Sequence, residues 1–502
     1  MSNVQEKIKE QFQGMVVYKQ PSQSKFFSSL SIPSYLRDWL IMRFADDSGR
    51  VDIDEVKEYV KKYIPGKKDW ELLKSQMIND SQRVRFLAKL RVGIDVRTGQ
   101  GLFELPDLGF PSRKSEALVT DRVLRENRQD MLTDSETWGV IECEWRPEGL
   151  TGKVGDGAIY ITDFKRFQPY NVDLDFFKEA RKEFTLDEWI DVLLLAIDYN
   201  PSGFLDAKQK LTLLSRLLPF VEKRVNLIEL APKSTGKSYM LSQISKYGWL
   251  VSGGSISRAR LFFDISRKTP GLVSRYDFVA FDEVQTISFP DVDEIRGALK
   301  GYLESGEYRV GDTRGVGDAG LVLMGNISDD KMREDLNMFT ELPPTFQESA
   351  LVDRFHGFIK GWDVPRMREN MKAEGWGLNV EYFSEIMHAL RNDITFPAIV
   401  DELLDVPASG DTRDTTAIKR ICSGFLKLLF PHVKRPQDID EEQFVAYCLE
   451  PARQMRGAIR RQLNIIDPAQ YSPTVPDIQV RRGYSFGRPE KSDMKSADGT
   501  AG

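Results

Sequence analysis

The 502 residues carry 70 Lys plus Arg against 76 Asp plus Glu, a formal net charge of −6, with 41% apolar and 29% charged residues. Such a chain is too long for a single hydrophobic core, and its composition excludes a fibrous or wholly disordered protein. The acidic balance offers no global attraction for a polyanion, while three cysteines without a Cys-x-x-Cys pair and only three histidines exclude a disulfide framework or a Cys/His zinc site.

Met1 to Gln13 is polar and of mixed charge, and the longest apolar runs, such as Val192 to Ile197, fall far short of a membrane span. A cytoplasmic protein without a membrane partner is expected. Residues 1–74 alternate short periodic segments with punctuation at Gly14, Pro21, Pro33 and Pro65-Gly66, which predicts small helices. Arg83 to Val96, the turn Arg97-Thr-Gly-Gln and Gly101-Leu-Phe-Glu-Leu read as paired strands, with further strands near Trp138–Trp145 and Ala158–Ile161. A small β-rich domain, with an OB-like barrel among its forms, is expected over 75–170. A capping box, Thr185-Leu-Asp-Glu188, opens the helix Trp189–Ile197, and Asn200-Pro-Ser-Gly203 ends it. A second helix, Leu205–Leu218, leads into the strand Asn226–Leu230.

That strand runs at once into Ala231-Pro-Lys-Ser-Thr235-Gly236-Lys237-Ser238, a glycine-bearing loop that opens a helix. This is the context a phosphate loop requires: loop and helix amides cradle phosphates, Lys237 neutralises their charge, and the Ser238 hydroxyl holds Mg²⁺. Ala231 stands where the full motif has its first glycine. Further on, Tyr276-Asp-Phe-Val-Ala-Phe-Asp282-Glu283 is an apolar strand ending in two carboxylates. Asp282 suits Mg²⁺ and Glu283 suits deprotonation of the attacking water, so ATP with Mg²⁺ is the expected cofactor pair. Either motif alone can be a surface turn or a solvated strand end; two at strand ends in this order point to an ATPase. A third strand, Ala319 to Asn326, ends in an amide that can hold the water or a phosphate oxygen, or simply form a turn. Arg354 follows an apolar stretch and can either reach a neighbouring subunit's site or form an internal ion pair.

Residues 366–464 are mainly helical in pattern, clearest over Thr415–Phe430 and Glu441–Leu463. Residues 465–502 read as an extended or disordered tail.

Over roughly residues 5–465 the chain resembles the BrxL family, Lon-related ATPases of the BREX phage-defence system, and through it the AAA+ ATPases related to MCM helicases. The resemblance rests on Thr185-Leu-Asp-Glu-Trp-Ile-Asp191, Pro219 to Ser238, Leu250-Val-Ser-Gly-Gly254, Val279-Ala-Phe-Asp-Glu283, Tyr302-Leu-Glu-Ser-Gly306, Met324-Gly-Asn-Ile327, Asp353-Arg-Phe355 and Gly361-Trp-Asp-Val-Pro365. It implies an α/β fold: an AAA+ P-loop core with its leading helices over 171–365, behind N-terminal α and β domains and ahead of a helical lid over 366–464. It further implies Asn326 as the sensor residue after the third strand, Arg354 as a trans-acting finger, and Arg413 as a lid residue that senses the γ-phosphate, with Arg420 an alternative on the same helix. Full-length relatives continue into a Lon-like domain; no such segment follows here, and peptidase activity is not expected.

The implied assembly is a hexameric ring, or stacked rings, around double-stranded DNA, working with other BREX proteins in antiviral defence. The stretch Glu304 to Ala319 reads as a glycine-tipped hairpin, and in the resembled helicases a hairpin here enters the pore, making Arg309 and Arg314 candidates for phosphate contact. Arg83, Arg85, Lys89 and Arg91 fall on one face of a strand, and Arg453, Arg456, Arg460 and Arg461 form a second cluster whose first three share a helical stripe. Either set can bind DNA or be a solvated face paired with acids. Hydrolysis that remodels or moves along DNA is the expected function. The alternatives are an ATP-regulated DNA-encircling scaffold and an unfoldase, the latter disfavoured by the arginine-glycine hairpin.

Overall fold

The computed structural model describes residues 2–481 apart from 22–25, 28–31, 47–48, 133–136, 153 and 267, so most of the tail expected to be disordered lies outside the described residues. The chain forms two compact units, Met1–Trp39 with Val172–Gly502, and Leu40–Asn171. The helical region expected over 1–74 thus contributes to both. Strand β1 (Val16–Lys19) belongs to the larger unit, where it pairs antiparallel with Gly375–Leu378.

In the smaller unit, β2 (Val84–Ile94), β3 (Gly101–Glu104), β4 (Ala117–Val119), β5 (Thr137–Glu148) and β6 (Val154–Arg166) close a barrel in the order β2-β3-β4-β6-β5. Only β4 and β6 run parallel; the other neighbours in the barrel are antiparallel. Alternation along β2 sets its faces: Phe86, Ala88 and Leu90 enter a core with Trp70, Phe103, Ile141, Cys143 and Ile161. The odd-numbered cations face outward and meet acids from other elements. Arg83 lies 2.7 Å from Glu144, Arg85 3.7 Å from Asp163, Lys89 3.7 Å from Asp107 and Arg91 2.8 Å from Glu104.

Early in the main stretch of the larger unit, after a short helix over Leu174–Arg181, comes helix α1 (Leu186–Ala196). Thr185 and Glu188 form the expected capping box, and at the other end the Lys19 ammonium donates to the carbonyls of Leu195 and Ala196 at 2.7 and 2.9 Å. Strands β7 (Leu227–Ala231), β8 (Gly248–Ser255), β9 (Phe278–Ser288), the hairpin β10 (Glu307–Val310) and β11 (Thr313–Val316), then β12 (Gly320–Asn326) and β13 (Gly357–Lys360) follow. Five of them form a sheet in the order β13-β7-β12-β9-β8, and every pairing within it is parallel. Parallel strands are covered on both faces, so β7 is buried at every position and β12 at all but its last.

Beyond β13, helices dominate, as expected: Val380–Arg391, Thr395–Leu403, Thr412–Leu429 and Glu450–Ile466. The last lays Ala458, Ile459 and Leu463 into the core that holds Phe281 and Phe358, and its Arg456 is buried against Asp353 and Asp414 at 2.7 and 2.6 Å. The arginine stripe on this helix is therefore internal at Arg456. No helix among the described residues is long and apolar enough to cross a membrane.

Candidate nucleotide site

The site is set at the carboxyl ends of parallel strands, where loops diverge and a ligand can enter. After β7, the chain turns through Ser234 (φ 68°) and Gly236 (φ 78°) into helix α2 (Lys237–Gln243). Glycine is required at 236: the left-handed backbone disfavours a side chain, and a Cβ there would stand 2.1 Å from the Tyr199 hydroxyl. Behind the loop, Arg216 and Glu229 form a fully buried ion pair at 2.6 Å, and the Arg216 guanidinium also donates to the Thr235 carbonyl at 2.8 Å. The start of α2 is held from its other side by Tyr239, whose hydroxyl donates to Asp198 at 2.5 Å, with Arg37 on both oxygens of that carboxylate at 2.9 Å.

Lys237 is buried, and its ammonium sits 3.4 Å from the carbonyls of Ala231 and Pro232. Burial lowers its pKa, with Arg216 adding to the effect and the carboxylates of Glu229 and Asp282 opposing it. Ser238 beside it is exposed. Within β9, just past the last pair with β12 at Phe281, Asp282 accepts from the Glu283 amide at 2.9 Å, and Glu283 itself is exposed with φ 47°, a conformation rare outside glycine. Asn326 ends β12 in register with Ala231, and its carbonyl accepts from Gln285 at 2.8 Å. One cavity of about 690 Å³ is lined by the loop residues Pro232, Lys233 and Ser234 together with Glu283, Asn326 and Arg366, with Asp329 and Glu341 at its wall; Lys237, Ser238 and Asp282 lie outside this lining.

Arg354 and Arg413 are placed elsewhere. Gly357, the first residue of β13, pairs with Leu227 at the start of β7, so Arg354 precedes the amino-terminal edge of the sheet. The strand length alone puts about 13 Å between that edge and Ala231. There Arg354 lies 2.9 Å from Glu304, and Arg413 contacts the same carboxylate at 2.9 Å and Asp353 at 2.9 Å. Within one chain neither guanidinium lines the cavity; Arg413, expected to sense phosphate from a lid, instead shares Glu304 with Arg354. Arg420 is spent on the Arg224 carbonyl and His356 at 3.2 and 3.0 Å.

The hairpin forms as expected between α3 (Val292–Ser305) and β12. Arg309 and Arg314 are directly paired across it, both exposed, and neither has an acidic partner among the described residues. Like charges directly opposite repel. This pair therefore differs from the barrel cations, each of which has an acid.

Arg216, Glu229, Tyr199, Glu304 and Arg366 escaped the sequence reading. For Glu229 a signal existed: a carboxylate inside Leu-Ile-Glu-Leu-Ala must find a buried cation. The others are recognisable only in three dimensions.

A parallel α/β sheet of this order, with a glycine-turned loop, adjacent carboxylates and a polar amide gathered at its carboxyl edge, is an AAA+-type domain. The chain belongs to the BrxL family: residues 159–477 match the family model described as "Lon-like protease BrxL-like, ATPase domain", and residues 10–145 match "BREX system Lon protease-like protein BrxL N-terminal". It is similar to the Lon-like protease BrxL of Escherichia coli O9:H4 (strain HS), 29% identical over 462 residues, covering 91% of this chain and 64% of that one. The Lon-like protease BrxL of Bacillus cereus (strain H3081.97) is 27% identical over 470 residues, covering 92% and 67% respectively. The chain thus spans about two thirds of the length of these curated relatives.

Proposed function

We propose that this chain is an oligomeric ATPase of BREX antiphage defence that hydrolyses ATP to remodel or translocate on duplex DNA, with other BREX proteins as partners. The observation that carries the reading is the single cavity in which the phosphate loop, Glu283 and Asn326 converge. Thr235, Gly236 and the first amides of α2 hold the phosphates, and the Lys237 ammonium neutralises them. Glu283 takes the proton of the attacking water, which Asn326 orients.

Ser238 and Asp282 suit Mg²⁺, which takes few protein ligands and keeps waters and phosphates. The donors fit: the Ser238 hydroxyl is exposed, and Asp282 is near enough to act on the Lys237 charge. Bound there, the ion would neutralise charge on the β- and γ-phosphates.

Arg354, facing away from its own cavity, serves the site of the next subunit in a ring, and Arg413 shares that role. Arg309 and Arg314, which have no acidic partner among the described residues, contact DNA phosphate in the pore. Three purified variants test the scheme. Lys237→Ala should lose nucleotide binding, and Glu283→Gln should keep ATP while turnover falls by about 10²–10⁴. Arg354→Ala should bind ATP yet turn over slowly, and regain rate when mixed with Lys237→Ala. Wild-type turnover in Glu283→Gln removes the assigned base, and mixed rings that fail to recover remove the trans assignment. Displacement of a strand or roadblock with hydrolysis separates a motor from a DNA-encircling scaffold.

A further inference from the structure

We infer that Arg366 contacts the terminal phosphate of the nucleotide bound to its own subunit, supplying the same-subunit cation that neither Arg354 nor Arg413 can provide. The inference rests on the reading of the cavity as a nucleotide site. Three observations carry it.

Arg366 lines the same cavity as Glu283 and Asn326, the two residues proposed to act on the attacking water. Its backbone is fixed to the phosphate loop: the amide of the next residue, Met367, donates to the Ser234 carbonyl at 2.7 Å. The strand of chain beyond is fixed as well, because Asn200 donates to the carbonyls of Met371 and Asn370 at 2.8 and 3.1 Å, and Ala373 donates to the Asp198 carbonyl at 3.0 Å. The side chain, by contrast, is exposed and has neither an acidic partner nor a hydrogen bond among the described residues.

Charge makes the role necessary. Glu283, Asp329 and Glu341 border the cavity, while the Lys237 ammonium lies beneath the loop against its carbonyls. A triphosphate entering there meets three carboxylates, and of the cations at the opening Lys233 rides on the loop itself. Arg366 comes from a separate segment after β13. Its planar fork can bind two phosphate oxygens at once, which an ammonium cannot. A group placed at the terminal phosphate distinguishes ATP from ADP, whereas the loop amides bind both.

The test uses the full chain and compares binding of a nonhydrolysable ATP analogue with binding of ADP. Arg366→Ala should weaken the analogue by about 10- to 100-fold and ADP by less than about threefold, with Arg366→Lys between them. Equal loss of both nucleotides, or an unchanged ratio, overturns the inference. Mixing experiments then fix the subunit. Arg366→Ala mixed with Arg354→Ala should recover turnover, since one interface pairs an intact Arg366 with an intact Arg354. Arg366→Ala mixed with Lys237→Ala should not recover, because both residues serve the same site, and recovery there overturns the same-subunit assignment. If Lys237→Ala and Arg354→Ala also fail to complement in mixed rings, the trans role of Arg354 is what fails, and the ATP-to-ADP ratio still decides Arg366.

Discussion

The buried pair Arg216–Glu229 lets folding and nucleotide binding be separated. Glu229→Gln strands the guanidinium in a site where both side chains are at most 1% exposed, and breaking a buried pair from one side costs about 3–5 kcal/mol. Over a unit of roughly 350 residues, an unfolding entropy of about 2.1 cal/mol/K per residue turns that into a fall in Tm of about 4–7 °C. The double change Arg216→Met with Glu229→Met removes both charges and should recover most of the loss. It should not recover ATP affinity, because the Thr235 carbonyl loses its donor at 2.8 Å. A hydrogen bond to a charged group contributes about 1.5–3 kcal/mol, so binding should weaken by about tenfold or more. Differential scanning calorimetry and titration with a nonhydrolysable analogue read the two quantities. A double variant that binds ATP like the wild type would refute the claim that this pair props the phosphate loop.

On the hairpin, Arg309→Ala with Arg314→Ala should weaken binding to unrelated duplexes alike and make the slope of log affinity against log salt shallower by about 1–2, measured by fluorescence anisotropy. Arg83→Ala with Arg85→Ala should change that slope less, since both cations already face acids. Glu304→Gln should leave the two guanidiniums of Arg354 and Arg413 without their shared carboxylate and lower the turnover of assembled rings while ATP binding by each subunit persists. His432, half-buried beside Arg181 and Lys182, has its pKa pushed down from 6.5 to about 4, chiefly by burial. The unfolded chain then holds a proton that the native one lacks, so urea midpoints should fall as pH drops from 6.5 to about 4, and fall less in His432→Gln.

The meeting of the loop after β7 with Glu283 and Asn326 at one cavity was legible because its parts are written in contiguous residues. Thr235-Gly-Lys-Ser238 and Asp282-Glu283 each follow an apolar run, and a buried parallel strand leaves its mark as such a run. The hairpin was legible for a similar reason, its turn glycines lying within the segment. Alternation correctly put Arg83, Arg85, Lys89 and Arg91 on one face of β2. It could not show that Glu144, Asp163, Asp107 and Glu104 meet them, since those acids arrive from other parts of the chain. Periodicity likewise found the stripe of Arg453, Arg456 and Arg460 but not that Arg456 turns inward to Asp353, a residue 103 positions away. The end of the sheet at which Arg413 lies depends on strand direction, which no local pattern encodes.

The pairing of β1 with the strand at Gly375–Leu378 has a consequence for synthesis. On a ribosome adding about 5–20 residues per second, the partner of Val16–Lys19 emerges some 20–70 seconds after it. The five barrel strands, contained within Val84–Arg166, can close in that interval. Val16–Lys19, meanwhile, must remain without its strand partner until the sheet with its phosphate loop has been made. A nascent chain stalled before residue 375 should therefore carry a closed barrel and a protease-sensitive N-terminus, and its release into solution would leave β1 as an open edge for other strands to join.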